Sequence, residues 1–207
     1  MKNDHNTLTS DRSIRSALKK KLEASFKATN NKVKIIDELG ILHGEARVDI
    51  AVINGIIHGY ELKSDIDTLF RLPEQIRIYN SVLDKVTLVV GRKHAFEAIK
   101  IIPEWWGVTM ARVIEPQQSV TFFKIREAEQ NPLQDSVSMA RLLWKEEAIS
   151  ILENINGASG MHLKTRNFVY ERLAEVLDTK TLRKKINEFL CARSNWRVEI
   201  PCIPNDD

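Results

Sequence analysis

The chain has 207 residues, 43% hydrophobic and 29% charged, with a formal net charge of +3. That size suits one α/β domain plus a small appendage, and the mild basic excess permits a nucleic-acid partner without demanding one. Two cysteines, Cys191 and Cys202, exclude a disulfide framework or a four-ligand zinc site; no apolar run approaches the roughly 20 residues that span a bilayer, and the polar start MKNDHNTLTSDRS lacks a signal-peptide core, so a cytoplasmic protein with reduced thiols and no membrane partner is expected.

Ser10-Asp11 reads as a helix start. Ile14, Leu18, Leu22 and Phe26 recur every four residues as one apolar stripe, which predicts a helix over 11–28 ended by Asn30-Asn31. Strands are expected at 33–39, 47–53 and 56–63, with a turn at 40–44 and a tight hairpin at Asn54-Gly55. A helix over 67–83 follows, with Leu69, Leu72, Ile76 and Tyr79 on one face and Asp67 as its cap, Asp65 and Arg71 bracing its start. Residues 85–91 (KVTLVVG) read as a buried strand, 94–101 as a helix, and 108–113 and 119–124 as edge strands. Meandering strands followed by a crossover helix to a buried strand indicate a mixed sheet with helices on its faces.

The polar stretch 127–135, carrying Pro132, separates a core at 1–128 from a C-terminal helical subdomain at 135–200. Helices are expected there at 137–154, 163–177 and 179–193. Arg166, Arg172, Lys180, Arg183, Lys184, Lys185, Arg193 and Arg197 give it a basic surface. Helix-turn-helix docking on DNA and a plain solvated face fit that surface equally well.

The chemistry concentrates between Arg47 and Tyr79. Residues two apart on a strand share a face, so Glu61 and Lys63 point one way and Leu62 the other. With the turn centred between Asn54 and Gly55, Asp49 lies opposite residue 60, and a slip of one aligns it with Glu61. Two such carboxylates can share a hard divalent cation, which polarises a phosphodiester and lowers the pKa of a bound water. Lys63 is placed to orient or deprotonate that water. A Glu-x-Lys triplet alone is usually a surface ion pair. Here its flanks are apolar, and charges in such places are costly unless paired or holding a metal.

Glu38, at the end of the first strand, is a candidate third carboxylate or a solvated strand end. Gln75 and Tyr79 share a helix face; they can reach the reacting groups, or be a polar surface residue and a core tyrosine. Arg47, Arg71 and Tyr79 are the candidate substrate contacts. His43 and His58 flank turns near the site and are more simply exposed residues than phosphate ligands. Trp105-Trp106 can stack bases, although a packed aromatic corner is the simpler reading. There is no Gly-rich phosphate loop.

The pattern Asp49, Glu61-Leu62-Lys63, then Gln75 with Tyr79 four later resembles the PD-(D/E)XK nuclease superfamily, and the Gln/Tyr pair its RecB-type and Cas4-type branch. DELG at 37–40, RVDIAV at 47–52, HGYELKSDIDTL at 58–69 and EWWGV at 104–108 look like a bacterial family within it. The resemblance covers about residues 10 to 125. It implies a restriction-endonuclease-like αβββαβ core and a Mg²⁺- or Mn²⁺-dependent nuclease acting on DNA or, less directly, RNA. In that reading Asp49, Glu61 and the Leu62 carbonyl hold the metal, Lys63 acts on water, Gln75 positions it and Glu38 assists. Val48 replaces the superfamily's proline, and Glu23 on the first helix competes with Glu38 as the third acid. Such enzymes often cut duplexes as homodimers. The rival expectation is a catalytically silent module that keeps the nuclease fold for binding or immunity.

Overall fold

The computed structural model describes residues 7–27, 33–115 and 119–193. His5, Ala28, Asn30, Asn31, Arg197 and Cys202 lie outside the described residues. One six-stranded sheet, in spatial order β1 to β6, organises the protein. Helix α1 (Asp11–Lys27) precedes β1 (Lys34–Ile41), β2 (Ala46–Ile53) and β3 (Ile57–Lys63), which pair antiparallel. Helix α2 (Leu72–Val82) crosses to β4 (Lys85–Gly91), and α3 (Arg92–Ile101) crosses to β5 (Gly107–Ile114), both parallel to their neighbours. Strand β6 (Ser119–Arg126) closes the edge antiparallel. The fold is therefore mixed α/β in the order αβββαβ, with C-terminal helices α4 (Ser136–Ala140), α5 (Lys145–Asn154), α6 (Arg166–Val176) and α7 (Thr179–Ala192).

Alternation along the strands decides which face meets which helix. Ile50, Val52 and Leu62 pack with Ile14, Leu18 and Leu22 of α1 on one side. Ala51 and Ile53 face the other, with Ile78, Tyr79 and Val82 of α2, and Val48 joins them, so β2 departs from strict alternation between Val48 and Ala51. The C-terminal helices join this second layer: Leu143, Leu152, Leu173 and Ile186 belong to the same continuous apolar cluster.

Several elements differ from the expected ones. Helix α2 begins at Leu72 rather than 67, because Pro73 suits the first turn of a helix and resists its interior. Asp67 is not its cap; its carboxylate accepts from Ser64 N–H and Oγ–H at 2.7 and 2.6 Å and closes the preceding loop. The hairpin between β2 and β3 has a three-residue turn, with Gly55 at φ 74° and Asn54 N–H bonded to the Ile56 carbonyl. The expected 137–154 helix is two, broken at 141–144. Residues 127–135 are pinned: the Asn131 amide donates to the carbonyls of Asn80 and Leu83 at 2.8 and 2.7 Å. Two of the expected basic-surface residues are internal braces. Arg193 is buried on Glu147, and Arg183 reaches Asp84 at 2.5 Å.

Loop 64–71, which borders the site, is held through buried Asp65. Its carboxylate accepts from Thr9 N–H and Oγ–H at 2.8 and 2.7 Å and from Lys93 N–H at 2.9 Å. A Cβ at Gly91 would meet that carboxylate at 2.5 Å and the Asp65 backbone nitrogen at 2.7 Å. Gly91→Ala is therefore expected to cost about 1–3 kcal/mol by overpacking, read as a lower urea midpoint at unchanged slope.

Candidate active site

The β2–β3 register is Ile50 to Tyr60 and Ala51 to Gly59. The pairing stops at Ile50–Tyr60; one residue beyond it Asp49 comes beside Glu61, its Oδ2 accepting from Leu62 N–H at 2.7 Å. Lys63 lies one pleat further on the same face, and Leu62 points into the α1 layer as expected. All three polar groups open onto a cleft of about 660 Å³, also lined by Arg15, Glu38, Arg47, Arg71 and Gln75.

Glu61 is the most deeply enclosed of these, 1% exposed. Its Oε1 accepts from Lys63 Nζ at 2.5 Å and from Gln75 Nε2 at 2.6 Å. Its Oε2 lies 2.7 Å from the Tyr79 hydroxyl, which is also 2.6 Å from the Arg47 carbonyl. Burial, then the charge of Asp49, pushes the Glu61 carboxyl up to about 7, against the pull of Lys63 and Tyr79. Asp49 is raised too, chiefly by burial and despite the Leu62 N–H and Arg15. Its Oδ2 accepts from Leu62 N–H at 2.7 Å, and its Oδ1 from Arg15 Nη2 at 2.7 Å.

Glu38 joins the site by a backbone irregularity. It has φ 54° in the middle of β1, a conformation that L residues seldom adopt and that often marks functional positions. The kink resets the strand's alternation, so Ile36, Leu39 and Ile41 share the α2 face while Asp37 and Glu38 both turn to solvent beside α1. Arg15 Nη1 meets Glu38 Oε1 at 2.9 Å, and Lys19 pairs with Asp37. Glu23 lines a separate depression on α1 and not this cleft.

Other expected placements change. Tyr79 is fully buried and does not line the cleft, so it positions Glu61 rather than touching a substrate. His58 sits toward the far end of β3, against Thr87 Oγ1 at 2.8 Å and stacked on Tyr60; burial pushes its pKa down to about 4. His43 packs on Tyr170 of α6. Trp105 and Trp106 form a buried corner, with Trp106 Nε1–H donating to Asn80 Oδ1 at 3.0 Å. Arg15, which no sequence motif marks, is the functional candidate that the structure adds. Its sequence signal is only a cation one helical turn beyond Asp11 on α1, and nothing local shows that β1 and β2 lie under it.

Among the described residues, no group of three or more His, Cys, Asp or Glu is gathered as a metal cage. Arg15 lies between Asp49 and Glu38. The donor set still suits a hard cation: Asp49 and Glu61 are adjacent carboxylates of raised pKa. Gln75 Oε1 is buried at the same place without a hydrogen-bond partner. Seven carboxylates and four cationic side chains line the cleft, so a polyanion enters it favourably only with added positive charge.

A family model described as Bacteriophage P4 protein cII matches residues 4–198. A curated relative, "Protein cII" of Enterobacteria phage P4, is 29% identical over 156 residues, 75% of this chain and 56% of that protein. The chain thus spans about half the length of the curated relative it matches. No solved structure matches the chain. Among the described residues no helix is long and apolar enough to cross a membrane.

Proposed function

We propose that this chain, which belongs to the bacteriophage P4 protein cII family, is a divalent-cation-dependent nuclease that hydrolyses phosphodiester bonds, with DNA as its substrate. The observation that carries the reading is that Asp49, Glu61 and Lys63 line one cleft, with Asp49 Oδ2 on the N–H of Leu62 between the other two. The resemblance of these residues to the PD-(D/E)XK superfamily supports the same reading and is the ground for naming DNA.

Asp49 and Glu61 would hold Mg²⁺ or Mn²⁺, with the Leu62 carbonyl beside them. When bound, the cation supplies Lewis-acid polarisation of the phosphodiester and a more acidic water. The protein's own groups do the positioning. Tyr79 and Gln75 fix the Glu61 carboxylate from behind and from the side. Gln75 Oε1 offers the acceptor that an attacking water needs to be aimed. Lys63 Nζ, held at 2.5 Å from Glu61, places a positive charge and a proton donor where charge develops on the phosphate. Arg47 and Arg71 line the same cleft and suit flanking phosphates.

A cation titration followed by thermal unfolding tests this directly. Mn²⁺ at 100 times its dissociation constant is expected to stabilise the wild type by about 2.7 kcal/mol. Asp49→Ala is expected to remove that increment. A shift that survives Asp49→Ala, or no shift in the wild type, sinks the proposal and leaves a nuclease-like fold used for binding.

A further inference from the structure

Of the four cationic side chains that line the cleft, Arg15 is the one the reaction above does not use. Its guanidinium donates through Nη2 to Asp49 Oδ1 at 2.7 Å and through Nη1 to the Asp49 carbonyl at 2.8 Å. Nη1 also meets Glu38 Oε1 at 2.9 Å, while Nε reaches Asp11 Oδ1 at 3.2 Å. Three carboxylates from two elements besides its own helix turn are thereby gathered on one planar fork. Its own pKa is raised: burial opposes its charge, but Asp11 and Asp49 outweigh it.

Resting on the cation-dependent reading just given, we propose that Arg15 is a built-in competitor for the cation, a latch that occupies Asp49 until a divalent ion displaces it. Both oxygens of Asp49 already have a donor, Leu62 N–H on one and Arg15 on the other. The Leu62 bond belongs to the backbone and stays. Arg15 is a side chain, 23% exposed, and it also lines the depression on α1 formed with Arg12, Ser16 and Lys19. It therefore has somewhere to go. A divalent ion and a guanidinium on the same carboxylate repel strongly inside a partly buried cleft, so one excludes the other. The consequence is a threshold: the site stays closed by its own cation and opens only where divalent ions are plentiful. Lys63 does not share this role, because it sits on Glu61 Oε1 and not on Asp49.

Calorimetric titration of the full chain with Mn²⁺, without substrate, distinguishes the possibilities. Arg15→Gln is expected to bind Mn²⁺ about tenfold more tightly than wild type, the scale of one charge-assisted hydrogen bond. The same variant is expected to melt earlier without cation and to gain more on adding it. Arg15→Lys keeps the charge but loses the fork, and is expected to bind more tightly than wild type by a smaller factor. If Arg15→Gln does not fold, Arg15→Lys decides. Equal or weaker Mn²⁺ binding in the folded variants, with wild type binding normally, overturns the latch alone. No Mn²⁺ binding by the wild type overturns the cation-dependent reading and the latch together.

Discussion

Replacing Lys63 with alanine is expected to slow phosphodiester cleavage by a factor of about 10²–10⁴, the range typical of removing one positioned acid–base group. The ammonium is 5% exposed and lies 2.5 Å from Glu61. Among the described residues no other cationic side chain is hydrogen-bonded to Glu61, so none is placed to substitute. The same change should alter stability in a way that separates its two roles. Removing one partner of a buried ion pair costs about 3–5 kcal/mol when the other charge is left stranded. Glu61 can escape that cost by taking a proton. Lys63→Ala is therefore expected to be strongly destabilised in cation-free urea melts at pH 8 and much less so at pH 4. Single-turnover cleavage by protein that is still folded, with Mn²⁺ affinity measured alongside, distinguishes lost chemistry from lost structure. Full cleavage by the variant would remove Lys63 from the mechanism.

The cation-free wild type should itself lose stability as pH rises from 5 to 8. Glu61 has an ordinary value of 4.5 and is pushed up to about 7 in the folded protein. A raised folded-state value means that the folded form binds the proton more tightly than the unfolded chain does. The contribution is then fully present below about 4.5 and is lost as pH rises through about 7. The shift corresponds to an order of 3 kcal/mol. Asp49 and Glu38 are raised as well, mainly by burial, and act in the same direction. The hydrogen bonds agree. The Tyr79 hydroxyl has one proton and two acceptors, the Arg47 carbonyl and Glu61 Oε2. A proton on Oε2 lets Glu61 donate to Tyr79 while Tyr79 donates to the Arg47 carbonyl, so the carboxyl, the hydroxyl and the carbonyl are all satisfied. Glu61→Gln, which mimics the protonated carboxyl, is expected to flatten this pH dependence in urea melts. A wild-type stability that climbs between pH 5 and 8, or a Glu61→Gln profile identical to wild type, would contradict the assignment.

Local patterns carried much of this architecture. The four-residue stripe of Ile14, Leu18 and Leu22 located α1, and KVTLVVG located β4 to the residue. Period-two alternation correctly sent Leu62 away from Glu61 and Lys63. The failures share a cause: they depend on backbone choices that residue types do not dictate. Asn54-Gly55 favours a two-residue turn, yet the chain uses three residues, and that single residue shifts the register to Ile53–Ile57 and Ile50–Tyr60, which brings Asp49 beside Glu61. Glu38 at φ 54° breaks the alternation of β1. The sequence hinted at it, since Ile36, Leu39 and Ile41 cannot share a face on a regular strand. The face that Tyr79 shares with Gln75 suggests a substrate contact, but Tyr79 also belongs to the apolar face of α2 and is buried with Leu72, Ile78 and Val82. Arg15 leaves no local signal, because its contacts with Glu38 and Asp49 exist only once α1 is laid against the middle of β1 and β2.

The most direct measurement of the central claim is cleavage itself. Wild-type protein would be incubated with linear duplex, circular and single-stranded DNA, and with RNA, in Mg²⁺ or Mn²⁺ and again in excess chelator. The account predicts cation-dependent cutting of at least one DNA substrate, abolished by chelator and absent in Lys63→Ala. Binding of these nucleic acids with no cutting of any of them, in either metal, would contradict it and identify the cleft as a binding surface built on a nuclease-like fold.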